Sequence, residues 1–121
     1  MPTILVVEDN AANMTLAITM LEASGHTVLS AASAEIGVVL ARELRPDLIL
    51  MDVQLPGMDG LQATVLLKAD ESTRTIPVIA LTALAMKGDE ERILAAGCDG
   101  YVAKPMRYRQ LLGAISGLLA P

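Results

Sequence analysis

Five short apolar runs alternate along the chain with five longer segments that have the period of a helix. The runs consist mostly of Val, Ile and Leu and span residues 3–7, 27–31, 48–52, 77–82 and 100–103. They lack an alternation of polar and apolar residues, which is typical of strands buried on both faces of a parallel sheet. This order predicts an α/β fold, a doubly wound, five-stranded parallel sheet with helices on both faces.

The segments between the runs carry apolar residues at helical spacing. The first is predicted to end at Gly25, and the second to start at Ser33 and stop before Pro46. In the second segment, helical spacing predicts a stripe that packs on the sheet, made of Ile36, Val39, Leu40 and Leu44. Three further helices are predicted over residues 59–69 and 88–96 and from Leu111 to Leu119.

Length and charge limit what such a domain can bind. The chain has 121 residues, a net charge of −5 and one cysteine, so we predict one domain over residues 1–121 without an internal disulfide. The acidic balance argues against a nucleic acid or an anionic membrane as partner. No apolar run approaches the roughly 18 residues of a membrane span, and we expect a cytoplasmic protein.

Polar side chains stand where four of the predicted strands end. Glu8 and Asp9 follow the first strand, Asp52 ends the third, Thr82 ends the fourth, and Lys104 follows the fifth. In doubly wound sheets, ligands bind beyond the carboxyl ends of the strands, near the point where the strand order reverses. We therefore expect these side chains to converge on one site.

The chemistry of this set is specific. Three clustered carboxylates repel one another and raise each other's pKa unless a cation lies among them. Oxygen donors without histidine or thiolate suit Mg²⁺, while a lysine and a hydroxyl can bind phosphate oxygens. A carboxylate nucleophile in these surroundings predicts phosphoryl transfer with an aspartyl-phosphate product.

The order of these residues resembles the receiver domain of bacterial two-component response regulators (CheY-like) over essentially the whole chain. The matching motifs are Glu8-Asp9, Asp52, the Leu-Pro-Gly-Met-Asp-Gly loop at 55–60, Thr82-Ala83 and Lys104-Pro105. The resemblance implies a flavodoxin-like fold with strand order 2-1-3-4-5. Residues 85–92 look most like DivK-type single-domain regulators, although receivers of hybrid histidine kinases share this stretch.

By this resemblance, Asp52 is the phosphoacceptor, and its reaction depends on Mg²⁺, with Mn²⁺ as a substitute. Asp9 and Asp52 would bind the metal directly, Glu8 through a water molecule, and Gln54 through its backbone carbonyl. Gln54 replaces the asparagine often seen beside the phosphoryl site, which leaves the lifetime of the phosphorylated state open.

The resemblance also implies how phosphorylation is sensed. Thr82, the backbone amide of Ala83 and Lys104 would contact the phosphoryl oxygens. Tyr101 matches the aromatic switch position, and Pro105 would follow a cis peptide bond.

The implied role is a signalling switch and not an enzyme. A histidine kinase or a histidine phosphotransfer protein would supply the phosphoryl group. A downstream protein would bind the face formed by helix 4, strand 5 and helix 5, where Leu84, Met86, Tyr101 and Met106 could form an apolar patch. The alternative interpretation is that half of these side chains pack inward.

Three alternatives to a single-domain signalling switch share parts of this pattern. The chain could be a receiver domain cut from a hybrid histidine kinase, although its ends favour a complete protein. An aspartate-nucleophile phosphatase normally has a second Asp two residues after the nucleophile, where this chain has Gln54. A flavin or nucleotide binder needs a glycine-rich loop after the first strand, and here the acidic residues at 8–9 would repel phosphate.

Overall fold

The computed structural model describes residues 2–83 and 87–119. Within them, the strands are β1 (Thr3–Val7), β2 (Thr27–Ala31), β3 (Leu48–Asp52), β4 (Val78–Thr82) and β5 (Gly100–Ala103). The helices are α1 (Ala11–Ala23), α2 (Ala34–Leu44), α3 (Gly60–Ala69), α4 (Lys87–Ala95) and α5 (Tyr108–Leu119). None of these helices is long and apolar enough to cross a membrane.

The strands form one parallel sheet in the order β2-β1-β3-β4-β5. This confirms the predicted doubly wound fold and its strand order. The order reverses between β1 and β3, since Leu5 of β1 pairs with Leu29 on one side and with Ile49 on the other. Because the strands are parallel, the ends of β1 and β3 lie side by side, which brings residues 8 and 9 next to Asp52.

The sheet separates two apolar cores. Leu5, Val7 and Met51 face the core covered by α2, α3 and α4, whereas Ile4 and Val6 face the core covered by α1 and α5. Successive strand residues point to opposite faces. Because both faces are covered, the inner strands are apolar at nearly every position, whereas the edge strand β2 also carries the exposed Thr27 and Ser30.

Polar side chains cap the starts of α1, α2 and α3, and a left-handed residue stands at the ends of α1 and α2. Ser33 accepts a hydrogen bond from the backbone N–H of Ile36 at 3.2 Å, which confirms the predicted start of α2. The C-cap of this helix is Arg45 (φ 42°), directly before Pro46. Gly25 follows the C-cap of α1 and has a φ of 87°. Glycine adopts this left-handed conformation at no steric cost.

The predicted buried stripe of α2 is wrong. Ile36, Val39 and Leu44 are 52%, 50% and 55% exposed, and only Leu40 packs partly against the core. The face that meets the sheet carries Ala34, Gly37, Val38 and Ala41. A Cβ atom at Gly37 would lie 2.7 Å from a methyl group of Val7, so α2 lies too close to β1 for large side chains to fit between them.

Two adjacent valines of α2 test which face is buried. Val38→Ala is expected to lower the free energy of unfolding by about 2 kcal/mol, because it empties space in the core. Val39→Ala, the matched control, should cost less than about 0.5 kcal/mol because its side chain is half exposed. Urea denaturation of both variants measures the difference, and equal losses would contradict the observed orientation of α2.

Candidate functional site

Three carboxylates meet at the edge of the sheet where β1 and β3 end. One oxygen from each of Glu8, Asp9 and Asp52 lies within 4.8 Å of the others. Glu8 and Asp52 are each 2% exposed, whereas Asp9 faces solvent. Two of the three negative charges are therefore held out of water, which is costly unless cations compensate them.

Lys104 reaches into this cluster from the end of β5. Its Nζ lies 3.0 Å from Oδ2 of Asp52 and 3.1 Å from Oε2 of Glu8. The backbone N–H of Lys104 donates to the carbonyl of Thr82 at 2.7 Å, and the peptide bond between Lys104 and Pro105 is cis. The lysine therefore bridges the two buried carboxylates.

Backbone N–H groups orient the same carboxylates. Oδ1 of Asp52 accepts a hydrogen bond from the N–H of Gln54 at 3.0 Å, and Oε1 of Glu8 accepts one from Asn10 at 3.1 Å. Oε2 of Glu8 makes no hydrogen bond of acceptable geometry in the described part of the chain, although the Lys104 ammonium lies close to it. The cluster thus holds one buried carboxylate oxygen with free acceptor capacity.

Burial and charge act in opposite directions on the ionisable groups. Burial raises the pKa of Glu8, and the neighbouring Asp52 raises it further, against the opposing effects of the Asn10 hydrogen bond and the Lys104 ammonium. Burial alone would lower the pKa of Lys104, but its hydrogen bond to Asp52 and its ion pair with Glu8 outweigh burial and raise that pKa. Lys104 therefore stays charged, whereas the positive charge near Glu8 is too small to offset the effect of its burial.

The donor set fits a hydrated divalent cation. Three ionised carboxylates and one ammonium leave two uncompensated negative charges, which one divalent ion would balance. All the ligand atoms are oxygens, which suits Mg²⁺, and Mg²⁺ usually keeps several waters and takes one or two protein carboxylates. The exposure of Asp9 leaves one side of the cluster open to those waters.

The structure places Thr82 and Ala83 at the neighbouring strand end. Thr82 closes β4 and is 1% exposed, and the next residue, Ala83, is exposed. β4 pairs with β3 so that Leu81 lies opposite Asp52. Both residues therefore lie at the edge of the sheet that carries the carboxylates.

Two of the four residues of the predicted apolar patch lie in the described part of the chain. Tyr101 of β5 is 40% exposed, and a hydrogen bond with Glu90 of α4 raises the pKa of its hydroxyl. Met106 is 6% exposed and belongs to the core covered by α1 and α5, which agrees with the alternative interpretation that part of these side chains pack inward. Leu84 and Met86 lie outside the described residues.

Gly60 supports the site in a way that sequence reasoning did not identify. A Cβ atom at this position would overlap with the backbone carbonyl of Asp52 and lie 2.9 Å from Cγ of Met51. The first turn of α3 therefore lies directly against the backbone of Asp52. The sequence placed Gly60 only in the loop at 55–60 and at the start of the third predicted helix, because the closeness of α3 to β3 is a tertiary property.

Comparisons with known proteins agree with this geometry. Residues 4–116 match the response regulator receiver domain. The chain therefore belongs to the receiver domain family, the signalling modules of two-component systems, as its motifs indicated.

Individual proteins of this family are similar to the chain over nearly its whole length. The polar-differentiation response regulator DivK of Brucella ovis is 49% identical over 117 residues, which are 97% of this chain and 95% of that protein. The receiver domain of sensor histidine kinase PA1611 from Pseudomonas aeruginosa, solved with a magnesium ion coordinated in its active site cleft, is 40% identical. Its TM-score is 0.92, with 99% of this chain and 98% of that chain covered.

A third comparison concerns the fold alone. The chemotaxis protein CheY4 of Vibrio cholerae has a TM-score of 0.93 at 24% sequence identity, with 98% of this chain and 99% of that chain covered. The chain therefore has the CheY-like arrangement of strands and helices.

Proposed function

We propose that Asp52 accepts a phosphoryl group from the phosphohistidine of a histidine kinase or a histidine phosphotransfer protein, in a reaction that depends on Mg²⁺. The phosphorylated chain would then change its affinity for a downstream protein. The observation that carries this proposal is the buried pair Glu8 and Asp52 with Lys104 between them. Together with Asp9, these groups leave two negative charges uncompensated, and such an ion network is poorly suited to a purely structural role.

The surroundings of Asp52 support its role as nucleophile. In the transfer, an Asp52 carboxylate oxygen forms a bond to phosphorus while the bond from phosphorus to the imidazole nitrogen breaks. The electron pair of that bond stays on the imidazole. The Gln54 N–H and the Lys104 ammonium hold the carboxylate in one orientation, which lowers the entropic cost of an in-line approach.

The carboxylate cluster supports a metal site with named ligands. We propose that Asp9, Asp52 and the backbone carbonyl of Gln54 bind Mg²⁺ directly, with Glu8 acting through a water and Mn²⁺ able to substitute. When bound, the ion supplies positive charge that offsets repulsion between the carboxylates and the incoming phosphoryl group. The magnesium ion in the similar PA1611 receiver domain supports this proposal.

Other residues would read the phosphorylated state. Thr82, the Ala83 amide and Lys104 would bind phosphoryl oxygens, with the turn at Pro105 positioning Lys104. The half-exposed Tyr101 would report the change on the face formed by α4, β5 and α5. The exposed Gln54 side chain follows the phosphoacceptor and would influence how water reaches it, and so the rate of autodephosphorylation.

Removal of the metal tests the proposed reaction. The chain is mixed with a phosphorylated histidine kinase whose phosphoryl group carries a radioactive label, with Mg²⁺ or with excess chelator. We expect transfer with Mg²⁺, a fall to background with chelator, and recovery when Mg²⁺ is restored, because the cluster lacks positive charge without the ion. Transfer that is unchanged by chelation would refute the metal site.

A further inference from the structure

An apolar groove lies along the outer face of α3. It has a volume of about 540 Å³ and is lined by Gly57, Met58, Gln62, Val65 and Leu66. Asp70, which follows Leu66 by four residues just beyond the end of α3, pairs with Arg42 of α2 at 2.8 Å. Gly57 lies beside Glu35 of α2, so the groove borders α2, and we call it the α2–α3 groove.

Two contacts between α2 and the α3 region mark the ends of this groove. At one end, Oε2 of Glu35 lies 3.1 Å from the position that a Cβ atom of Gly57 would take. At the other end stands the ion pair of Arg42 and Asp70. Glu35, Val39 and Arg42 are spaced by four and three residues and so share one face of α2. Val39 therefore lies between the two contacts along α2, whereas the lining of the groove itself comes from α3 and the residues before it.

Large apolar side chains on this surface are about half exposed. Val39, Val65 and Leu66 are 50%, 51% and 42% exposed. Glu35 and Arg42 are seven residues apart, which corresponds to about 10 Å of helix, or two turns. Grooves of this length and character bind amphipathic helices, which insert apolar side chains spaced three or four residues apart.

Charge at the ends of the groove selects the occupant. Arg42 is already paired with Asp70, whereas Glu35 forms no ion pair with any residue in 2–83 or 87–119. Asp59, at the start of α3, uses its carboxylate to cap that helix. Glu35 is therefore the charged residue at the ends of the groove that has no ion-pair partner in the described part of the chain, and a cationic side chain would complement it.

From these observations we infer that the α2–α3 groove binds an amphipathic helix of a partner protein, one that places apolar side chains along the groove and a lysine or arginine against Glu35. A second copy of this chain fits less well. If a second copy docked through the same face, Arg42 would be the cation opposite Glu35, but Arg42 is already paired with Asp70.

The test is a selection from a displayed library of short amphipathic helices with randomised charges at their flanking positions. The bait is the full chain in its unphosphorylated form, so the result does not depend on the proposed phosphoryl transfer. We expect the selected helices to be enriched in lysine or arginine. Their affinity should fall at least about tenfold for Val65→Asp, which places a charge in the apolar contact, and also for Glu35→Lys.

Leu16→Asp serves as the matched control, because Leu16 is 38% exposed on α1, across the sheet from the groove. It should leave binding unchanged. Thermal denaturation checks that each variant is folded, and Leu66→Ser replaces Val65→Asp if the latter is not. Helices that bind the folded groove variants as well as the original chain would overturn the inference, as would selected helices without a basic preference. A dimer in sedimentation that Val65→Asp dissociates would also overturn it, because it would make a second copy the occupant.

Discussion

Asp52→Asn is expected to reduce phosphoryl uptake from a phosphorylated histidine kinase to background while the domain stays folded. An amide has no carboxylate oxygen able to attack phosphorus. Its carbonyl oxygen can still accept the hydrogen bond from Gln54, and Lys104 keeps its ion pair with Glu8. The readout is transfer of label in the presence of Mg²⁺.

The same variant should be more stable than the original chain in metal-free buffer. Asp52 is one cause of the raised pKa of Glu8, so neutralising residue 52 removes repulsion between two buried charges. We expect the free energy of unfolding at pH 7 to rise by about 1 kcal/mol. Asp47→Asn, at the opposite end of β3, is the control and should leave uptake intact. Uptake that persists in Asp52→Asn would disprove the assignment of the phosphoacceptor.

Gly60→Ala is expected to be the most damaging substitution outside the charged cluster. The added methyl group would overlap with the carbonyl oxygen of Asp52, so either α3 or the end of β3 has to move. We expect the free energy of unfolding to fall by about 1–3 kcal/mol. Phosphoryl uptake should slow by about a hundredfold, because small displacements of a reacting group are costly.

Gly113→Ala is the matched control for this substitution. Gly113 lies in α5, and no atom stands within 4 Å of where its Cβ would be. Alanine should there stabilise the domain by about 0.5–1 kcal/mol, because glycine is a poor helix former. If denaturation and uptake show that Gly60→Ala behaves like Gly113→Ala, α3 does not position Asp52 as the structure implies.

The strands could be predicted from the sequence with little error. Every residue of β3 and β4 is buried, so each appears as an uninterrupted apolar run. The fourth strand was predicted from Pro77 and begins at Val78. Proline has no backbone N–H for the sheet, although the carbonyl of Pro77 still accepts a hydrogen bond from Ile49.

Which face of α2 is buried could not be predicted in the same way. Both faces of this helix carry apolar residues, and the larger ones suggested the stripe through Ile36 and Val39. The short distance between Gly37 and Val7 decides which face of α2 is buried, and that distance depends on how the helix and the sheet pack. Both an exposed and an inward-packed Met106 were open for a related reason, since an apolar residue beside a predicted surface can still point inward.

The residues of the candidate site could be predicted more completely than their contacts. Strand ends in a parallel sheet share an edge, so Glu8, Asp52 and Lys104 were expected to converge. Their pairing was not expected, because the position of the Lys104 ammonium between both carboxylates depends on side-chain conformation. The contact of Gly60 with Asp52 likewise joins residues of different elements that no local pattern connects.

The most direct test is to find which residue carries the phosphoryl group. The chain is phosphorylated by its kinase donor with Mg²⁺, treated with borohydride, which reduces an aspartyl-phosphate to homoserine, and digested for mass spectrometry. Reduction should convert Asp52 in the peptide that contains it and leave Asp9 and Asp47 unchanged. Conversion of another aspartate with Asp52 intact, or a phosphorylated hydroxyl side chain in place of an acyl phosphate, would contradict the proposed function.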